Sequence, residues 1–223
     1  MNILLVYPEF PDTFWSFKHA LRFVRKKASS PPLGMITIAA MLPTEWNKRL
    51  VDLNIESLKD ADIRWADMVF VSAMVVQRQS TKEVIHRVKQ AGKTIVAGGP
   101  IFLGEWQDFP EVDHFILNEG EITLPEFLRD LQLGSPKRVY STSEFADVTQ
   151  SPVPMWELVN FRYYDSLAIQ YSRGCPFDCD FCNITAILGR KPRTKSAVQI
   201  IAELDKMTQL GWGRNIFFVD DNF

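Results

Sequence analysis

Lys93-Thr94-Ile95-Val96-Ala97-Gly98-Gly99-Pro100 joins a short apolar run to a glycine pair and a proline. A run of this length, apolar at successive positions and not at alternate ones, reads as a strand buried on both faces. Gly98-Gly99 then permits close approach of backbone to a large ligand, and serves equally as a tight turn from strand into helix. The pattern recurs outward in both directions. Residues 2–7, 68–73 and 113–117 are similar runs, and 49–53 is a weaker strand candidate. Between them the spacing becomes helical. Residues 80–91 put Val84, Ile85 and Val88 on one face with Gly92 as the stop, and 122–133 align Leu124, Phe127, Leu128 and Leu131. Residues 35–42 make a further apolar helix after Pro31-Pro32-Leu33-Gly34, which reads as loop punctuation. Strands alternating with helices predict an α/β domain with a doubly wound parallel sheet over residues 1–140.

Ligands of such sheets sit beyond the carboxyl ends of the strands. The loops there are Pro8-Glu9-Phe10, Ser72-Ala73-Met74-Val75-Val76-Gln77, Gly98-Gly99-Pro100 and Asn118-Glu119-Gly120-Glu121. Residues 141–166 lose all periodicity and carry Pro152 and Pro154, so they read as a linker draped over a surface. A second unit, 167–223, opens with a strand at 167–172. It continues through a cysteine loop and a helix capped by Ser196, running to Gln209 and stopped by Gly211. A strand at 215–219 leads into Asp220-Asp221-Asn222-Phe223. One and a half strand–helix units cannot close a barrel, so the chain is expected to be the N-terminal part of a longer protein.

The 223 residues carry a net charge of −2, which gives no electrostatic reason to bind nucleic acid or an anionic membrane. No apolar run reaches the roughly 18 residues that span a bilayer, and the start does not read as a signal peptide. All three cysteines fall within eight residues. An odd, clustered set is a poor disulfide framework, and free thiols of this kind fit a reducing cytoplasm and metal binding.

The cysteine spacing, C-x3-C-x2-C at Cys175, Cys179 and Cys182, follows directly on a buried strand. Three thiolates hold three irons of a cubane cluster and leave the fourth without a protein ligand. An open iron can chelate the amino and carboxylate groups of S-adenosylmethionine (SAM). Electron donation then breaks a carbon–sulfur bond of the sulfonium to give a 5′-deoxyadenosyl radical, chemistry that belongs to the cofactor while the protein positions it. A structural zinc site would want a fourth ligand, and His19, His86 and His114 all lie far upstream. Three inert buried cysteines would not keep company with Pro176, Asp178 and Asp180 in a polar loop.

The stretch from Gln170 to Cys182, with Phe181 before the third cysteine, resembles the cluster loop of radical SAM enzymes. That resemblance implies the start of a radical SAM (β/α) partial barrel, a 4Fe-4S cluster on Cys175, Cys179 and Cys182, and Phe181 near the adenine of SAM. Asp220-Asp221-Asn222-Phe223 is similar to the form taken by the second barrel strand's end in cobalamin-dependent members, where these residues meet the SAM amino group. The first unit is similar to a flavodoxin-like, Rossmann-like cobalamin (B12)-binding domain, with hopanoid-methylating proteins the nearest group. The resemblance implies a corrinoid face of Ser72, Val75, Gln77, Gly98, Gly99, Glu119 and Gly120. It also implies methylation of an unactivated carbon of a small-molecule or lipid-like substrate, and an electron donor such as flavodoxin or ferredoxin. The sequence departs from many B12 domains in lacking Asp-x-His-x-x-Gly, so cobalamin here should have no histidine lower ligand.

Other features have plainer readings. His86 is expected to face solvent from its helix, and Arg190-Lys191-Pro192-Arg193-Thr194-Lys195 reads as a solvated loop, with contact to the SAM carboxylate or a phosphorylated substrate as the alternative. Phe14, Trp15, Phe17 and Phe23 read as packing. Trp46, Trp65, Trp106 and Trp156 carry no functional signal. Two rivals remain: a corrinoid-free radical SAM enzyme, indifferent to a bulky residue at Gly98, and a metal or redox module that makes no 5′-deoxyadenosine.

Overall fold

The computed structural model describes residues 1–13, 16 and 18–222; the side chains of Lys18 and His19 fall outside that description. So do Phe14, Trp15 and Phe17, the aromatics read as packing, and Phe223. In chain order the first unit runs β1 (Asn2–Tyr7), α1 (Lys18–Phe23), α2 (Leu33–Met41), β2 (Asn47–Asp52), α3 (Asp60–Trp65), β3 (Met68–Ser72), α4 (Arg78–Gln90), β4 (Thr94–Gly98), α5 (Pro100–Glu105), β5 (His114–Ile116), α6 (Gly120–Gln132) and β6 (Val139–Tyr140). The second unit holds β7 (Leu167–Ile169), β8 (Ser172–Arg173), α7 (Ile184–Leu188), β9 (Arg193–Thr194), α8 (Ala197–Gln209) and β10 (Ile216–Phe218).

The six strands of the first unit form one sheet in the order β2-β1-β3-β4-β5-β6, and every pair is parallel. The apolar runs have the physical origin expected of them. Ile3, Leu4, Leu5 and Val6 are all fully buried, with Leu4 and Val6 in one core and Ile3 and Leu5 in the other. Val69 and Val71 oppose Met68 and Phe70 in the same manner. Ile63, Val84, Ile85, Val88, Ile101 and Phe102 cover one face, while Met35 and Ala39 of α2 with Leu124 and Phe127 of α6 cover the other. Each of these side chains larger than alanine contributes about 1.5–3 kcal/mol by leaving water. The strand order reverses between β1 and β3, so the carboxyl ends of the central strands open a crevice.

Residues 141–166 are more than a strap over a surface. Trp156 and Tyr164 are fully buried, and they join Ile36 and Ile55 of the first unit with Leu167, Ile169, Met207 and Trp212 of the second in a third core. Tyr164 donates its hydroxyl to the buried carboxylate of Asp52 at 2.8 Å. Burial pushes Asp52 up from the usual carboxylate range, against the bonds from Asn54 and Tyr164 that pull it down. The segment lacks periodicity because single large side chains, and no repeating stripe, anchor it.

In the second unit β7 and β10 pair in parallel, and β8 and β9 pair antiparallel. The cap on α8 is as read: Ser196 Oγ accepts from Gln199 N at 3.3 Å while Gln199 Oε1 accepts from Ser196 N at 2.9 Å. Phe23, read as a packing residue, is instead 90% exposed.

Candidate functional site

A cleft of about 500 Å³ opens where β3, β4 and β5 end. Its walls are mainly apolar, built from Ile38 and Met41 of α2, Phe70, Val96 and Ile116 of the sheet, and Met74, Val75 and Val76 of the loop after β3. Of the residues assigned to a corrinoid face, Ser72, Val75, Gly98, Gly99, Glu119 and Gly120 all line this cleft. Gln77 does not line it. It is buried, donates to Pro8 O, and accepts from Met74 N at 2.7 Å, so it closes the loop after β3 from behind. Its type and position suggested a ligand contact, but its amide is spent on backbone.

The glycines have causes of their own. A Cβ at Gly98 would lie 2.8 Å from Ile116 O, and one at Gly99, where φ is +95°, would lie 2.7 Å from Ser72 Oγ. Close packing within the protein, with the positive φ at Gly99, therefore requires both, in line with the tight-turn reading. Gly34 differs: it lines the cleft, and a Cβ there meets nothing within 4 Å. Its place in the wall was missed because Pro31-Pro32-Leu33-Gly34 looked like punctuation and not like the start of a wall-forming helix.

The far side of the cleft comes from the second unit. Gln170, Arg173, Asn183, Ile184, Ile187 and Leu188 line it, so the residues that follow Cys182 directly form part of the cavity. Cys175 is half-buried and Cys179 and Cys182 are exposed, all as free thiols. Among the described residues no group of three or more His, Cys, Asp or Glu side chains is gathered closely enough to hold a metal ion. The donor set still suits a cluster: three sulfurs on one short exposed loop, with Cys175 N bonded to Gly189 O at 3.1 Å to close the loop's neck. Phe181 is 93% exposed and stands free beside it.

Asp220, Asp221 and Asn222 sit at the same place. The Asp220 carboxylate accepts from Ser172 N, Asp221 accepts from Gly174 N at 3.0 Å, and Asn222 O accepts from Ser172 Oγ at 3.3 Å. They hold the strand that enters the cysteine loop. One atom is left over: Asp220 Oδ2 is buried with no hydrogen-bond partner among the described residues, an acceptor suited to an ammonium group.

Four charges, Glu119 buried and Arg173, Glu121 and Arg193 partly so, join the two halves. Arg173 Nη2 donates to Glu121 at 2.8 Å and its Nη1 to Glu121 at 3.0 Å, while Arg193 donates to Glu119 at 2.6 and 2.8 Å. Glu119 is the N-cap of α6 and Glu121 lies in its first turn, where the helix dipole favours negative charge. Burial alone would raise Glu121, but the Arg173 bonds and charge, with the Ser151 hydroxyl, hold it below the ordinary carboxylate range. Removing one partner of such a pair strands the other charge, at a cost of about 3–5 kcal/mol. The basic run is solvated only in part: Arg190, Lys191, Pro192 and Thr194 are exposed, while two of its cations are not. Arg193 is committed to Glu119, and Lys195 is buried against Glu203 at 2.5 Å. Glu119 itself, expected on the corrinoid face, spends both oxygens on Arg193 and Ala146 N.

His86 faces solvent as expected, beside Glu111 at 3.2 Å, and His114 bonds Lys137 O at 2.7 Å; neither lines the cleft. A second hollow, of about 580 Å³, lies outside β1 and β2. Its basic groups are already engaged, Lys27 by Ile55 O and Arg87 by Asp60, and the thiol loop does not reach it. No helix among the described residues is long and apolar enough to cross a membrane.

The family described as B12 binding domain matches residues 24–128. Over its whole length the chain is 45% identical to an uncharacterized methyltransferase of Synechocystis sp., of which it covers 42%. It is 37% identical to hopanoid C-2 methylase of Rhodopseudomonas palustris, again over its whole length, covering 43% of that protein. The chain therefore spans about two-fifths of the length of these curated relatives. Among solved structures, the cobalamin-dependent SAM radical enzyme OxsB, with aqua-cobalamin and SAM bound, superposes with a TM-score of 0.69 at 18% identity, covering all of this chain and 34% of that one. The radical SAM methyltransferase TsrM from Kitasatospora setae gives 0.67 at 14% identity, over 99% of this chain and 47% of its own. These two likenesses concern the fold, and they cover both units.

Proposed function

We propose that this chain, which carries a B12-binding domain over residues 24–128, is the cofactor-holding part of a cobalamin-dependent radical SAM methyltransferase. The observation that carries the reading is the shared wall: the cleft at the ends of β3, β4 and β5 is completed by the residues that follow Cys182. Two cofactors that must act in succession on one substrate need such adjacency.

In this reading Cys175, Cys179 and Cys182 hold the cluster, whose chemistry is one-electron cleavage of SAM to methionine and a 5′-deoxyadenosyl radical. Phe181 offers an exposed ring to the adenine, and Asp220 Oδ2 offers an unshared acceptor to the SAM ammonium. The cleft, with Ser72, Val75, Gly98, Gly99 and Gly120 on its walls, takes the corrinoid, which supplies the methyl group. Gln77 stands behind that wall and supports it. No described histidine side chain lines the cleft that would hold the corrinoid. Ile38, Met41 and Phe70 keep water from the wall. The substrate is lipid-like or otherwise apolar, as the names of the hopanoid methylase relatives suggest, and a flavodoxin or ferredoxin donor supplies the electron.

The test begins with binding. Protein reconstituted anaerobically with iron and sulfide, incubated with hydroxocobalamin and desalted, should keep the corrinoid bands and the broad cluster absorption. Loss of the corrinoid bands alone would remove the B12 half and leave the corrinoid-free enzyme. Absence of 5′-deoxyadenosine, by chromatography after reduction of the complete enzyme with SAM, would leave only a redox or metal module.

A further inference from the structure

We infer that Arg173 is a positioning residue that couples the corrinoid cleft to the cysteine loop by clamping the start of that loop to the glutamates of α6. The inference rests on the cofactor reading above and adds a connection between its two sites.

Residues 174–189 leave and return to one place. At the start, Arg173 grips Glu121 with both terminal nitrogens, at 3.0 and 2.8 Å, and reaches Glu119 at 3.4 Å. At the end, Arg193 Nη2 donates to Glu119 at 2.6 Å and also to Leu188 O at 2.9 Å. Arg173 and Arg193 are register partners across β8 and β9, so the two guanidinium groups face the same helix start side by side. The neck between them is tight. Gly174 has φ of +94°, and a Cβ there would lie 2.7 Å from Lys191 O.

The same helix start builds the cleft. Gly120, set between the two glutamates, lines it, and Arg173 does so as well. Ile184, Ile187 and Leu188 form the opposing wall directly after the third thiol. Whatever fills the cleft therefore bears on the segment that trails Cys182, and whatever fixes the thiols fixes that wall. Coupling of this kind is reciprocal in affinity. The guanidinium matters because two parallel N–H donors hold a carboxylate in one orientation, which an ammonium group does not do.

The experiment titrates the full chain with hydroxocobalamin, once metal-free and once after anaerobic loading with iron and sulfide. In the wild type, loading is expected to tighten hydroxocobalamin binding by about tenfold, within the range usual for coupled sites. Hydroxocobalamin is expected in turn to slow amide exchange over 174–189. In Arg173→Met the ratio of the two affinities should fall below about twofold, whatever happens to either affinity alone, and Arg173→Lys should lie between. Should Arg173→Met fail to fold, Glu121→Gln, which keeps the shape and removes the charge, must show the same loss. An unchanged ratio in whichever of these variants folds overturns the inference, as does a wild-type ratio near one with corrinoid bound. If the wild type binds no hydroxocobalamin at all, the cobalamin reading falls first and the coupling with it.

Discussion

Replacing Gly34 with phenylalanine separates the cleft from the packing that supports it. Gly34 is the second residue of α2, it lines the cavity, and a side chain there enters open space. A Cβ there meets no neighbour, and a residue with better helix propensity contributes up to about 1 kcal/mol of stability. A buried phenyl side chain covers roughly 150 Å² or more. With about 80 Å² of it laid along the wall, a ligand loses a similar area of contact. At ~25 cal/mol per Å² that is ~2 kcal/mol, or roughly thirtyfold in affinity. Hydroxocobalamin titration by difference spectroscopy, run beside urea unfolding, reads both quantities. The expected outcome is an unfolding midpoint at or above that of the wild type, with hydroxocobalamin bound about thirtyfold more weakly. An intact fold that binds hydroxocobalamin as the wild type does would refute the assignment of this cleft to the corrinoid. Gly98, the choice the sequence suggests, cannot serve, because its Cβ would strike Ile116 O before any ligand was met.

Gly99→Ala should give the converse result. Its Cβ falls 2.7 Å from Ser72 Oγ at a positive φ, so urea unfolding should show a loss of about 2–4 kcal/mol. Phe181→Ala should leave stability within about 0.5 kcal/mol, since the ring is almost wholly exposed, while equilibrium dialysis of the reconstituted protein shows weaker SAM binding. The lowered Glu121 carboxyl stabilises the fold above its ordinary value of 4.5, and that stability is lost as pH falls through the depressed folded-state value. The gap in urea midpoint between wild type and Glu121→Gln should therefore be largest near neutrality and shrink as pH falls below 4.5; a gap that widens in acid would contradict the sign.

The sheet was legible because its strands are buried on both faces, which leaves unbroken apolar runs such as Ile3 to Val6. α4, α6 and α8 were legible by their stripes and caps. β6 is only two residues long, and α3, α5 and α7 are too short to show a helical period. The loops after β3, β4 and β5 that the sequence singled out line the cleft, and the Pro8-Glu9-Phe10 loop after β1 does not, because strand ends in a parallel sheet mark one side of the sheet whatever the sequence. Gln77 was misassigned because nothing in a sequence distinguishes an amide aimed at a ligand from one aimed at Pro8 O. Arg193 looked solvated because its partner, Glu119, lies 74 positions away. The pairing of Arg173 with Glu121 went unremarked for the same reason, although an arginine two residues before a cysteine motif and acids flanking a glycine were visible hints.

The neck at Gly174 and Gly189 also bears on how this protein can change. A loop already closed by its own chain contributes little further entropy cost when it grows, about 0.6 kcal/mol for each doubling of length. Anchorage rests on Arg173, Arg193 and the α6 glutamates, while the thiols and Phe181, the proposed cofactor contacts, lie between those anchors. Lengthening the segment between the anchors therefore adds little entropic cost, but Ile184, Ile187 and Leu188 lie inside it and wall the cleft, so length can be added before Asn183 and not after it without reshaping that wall.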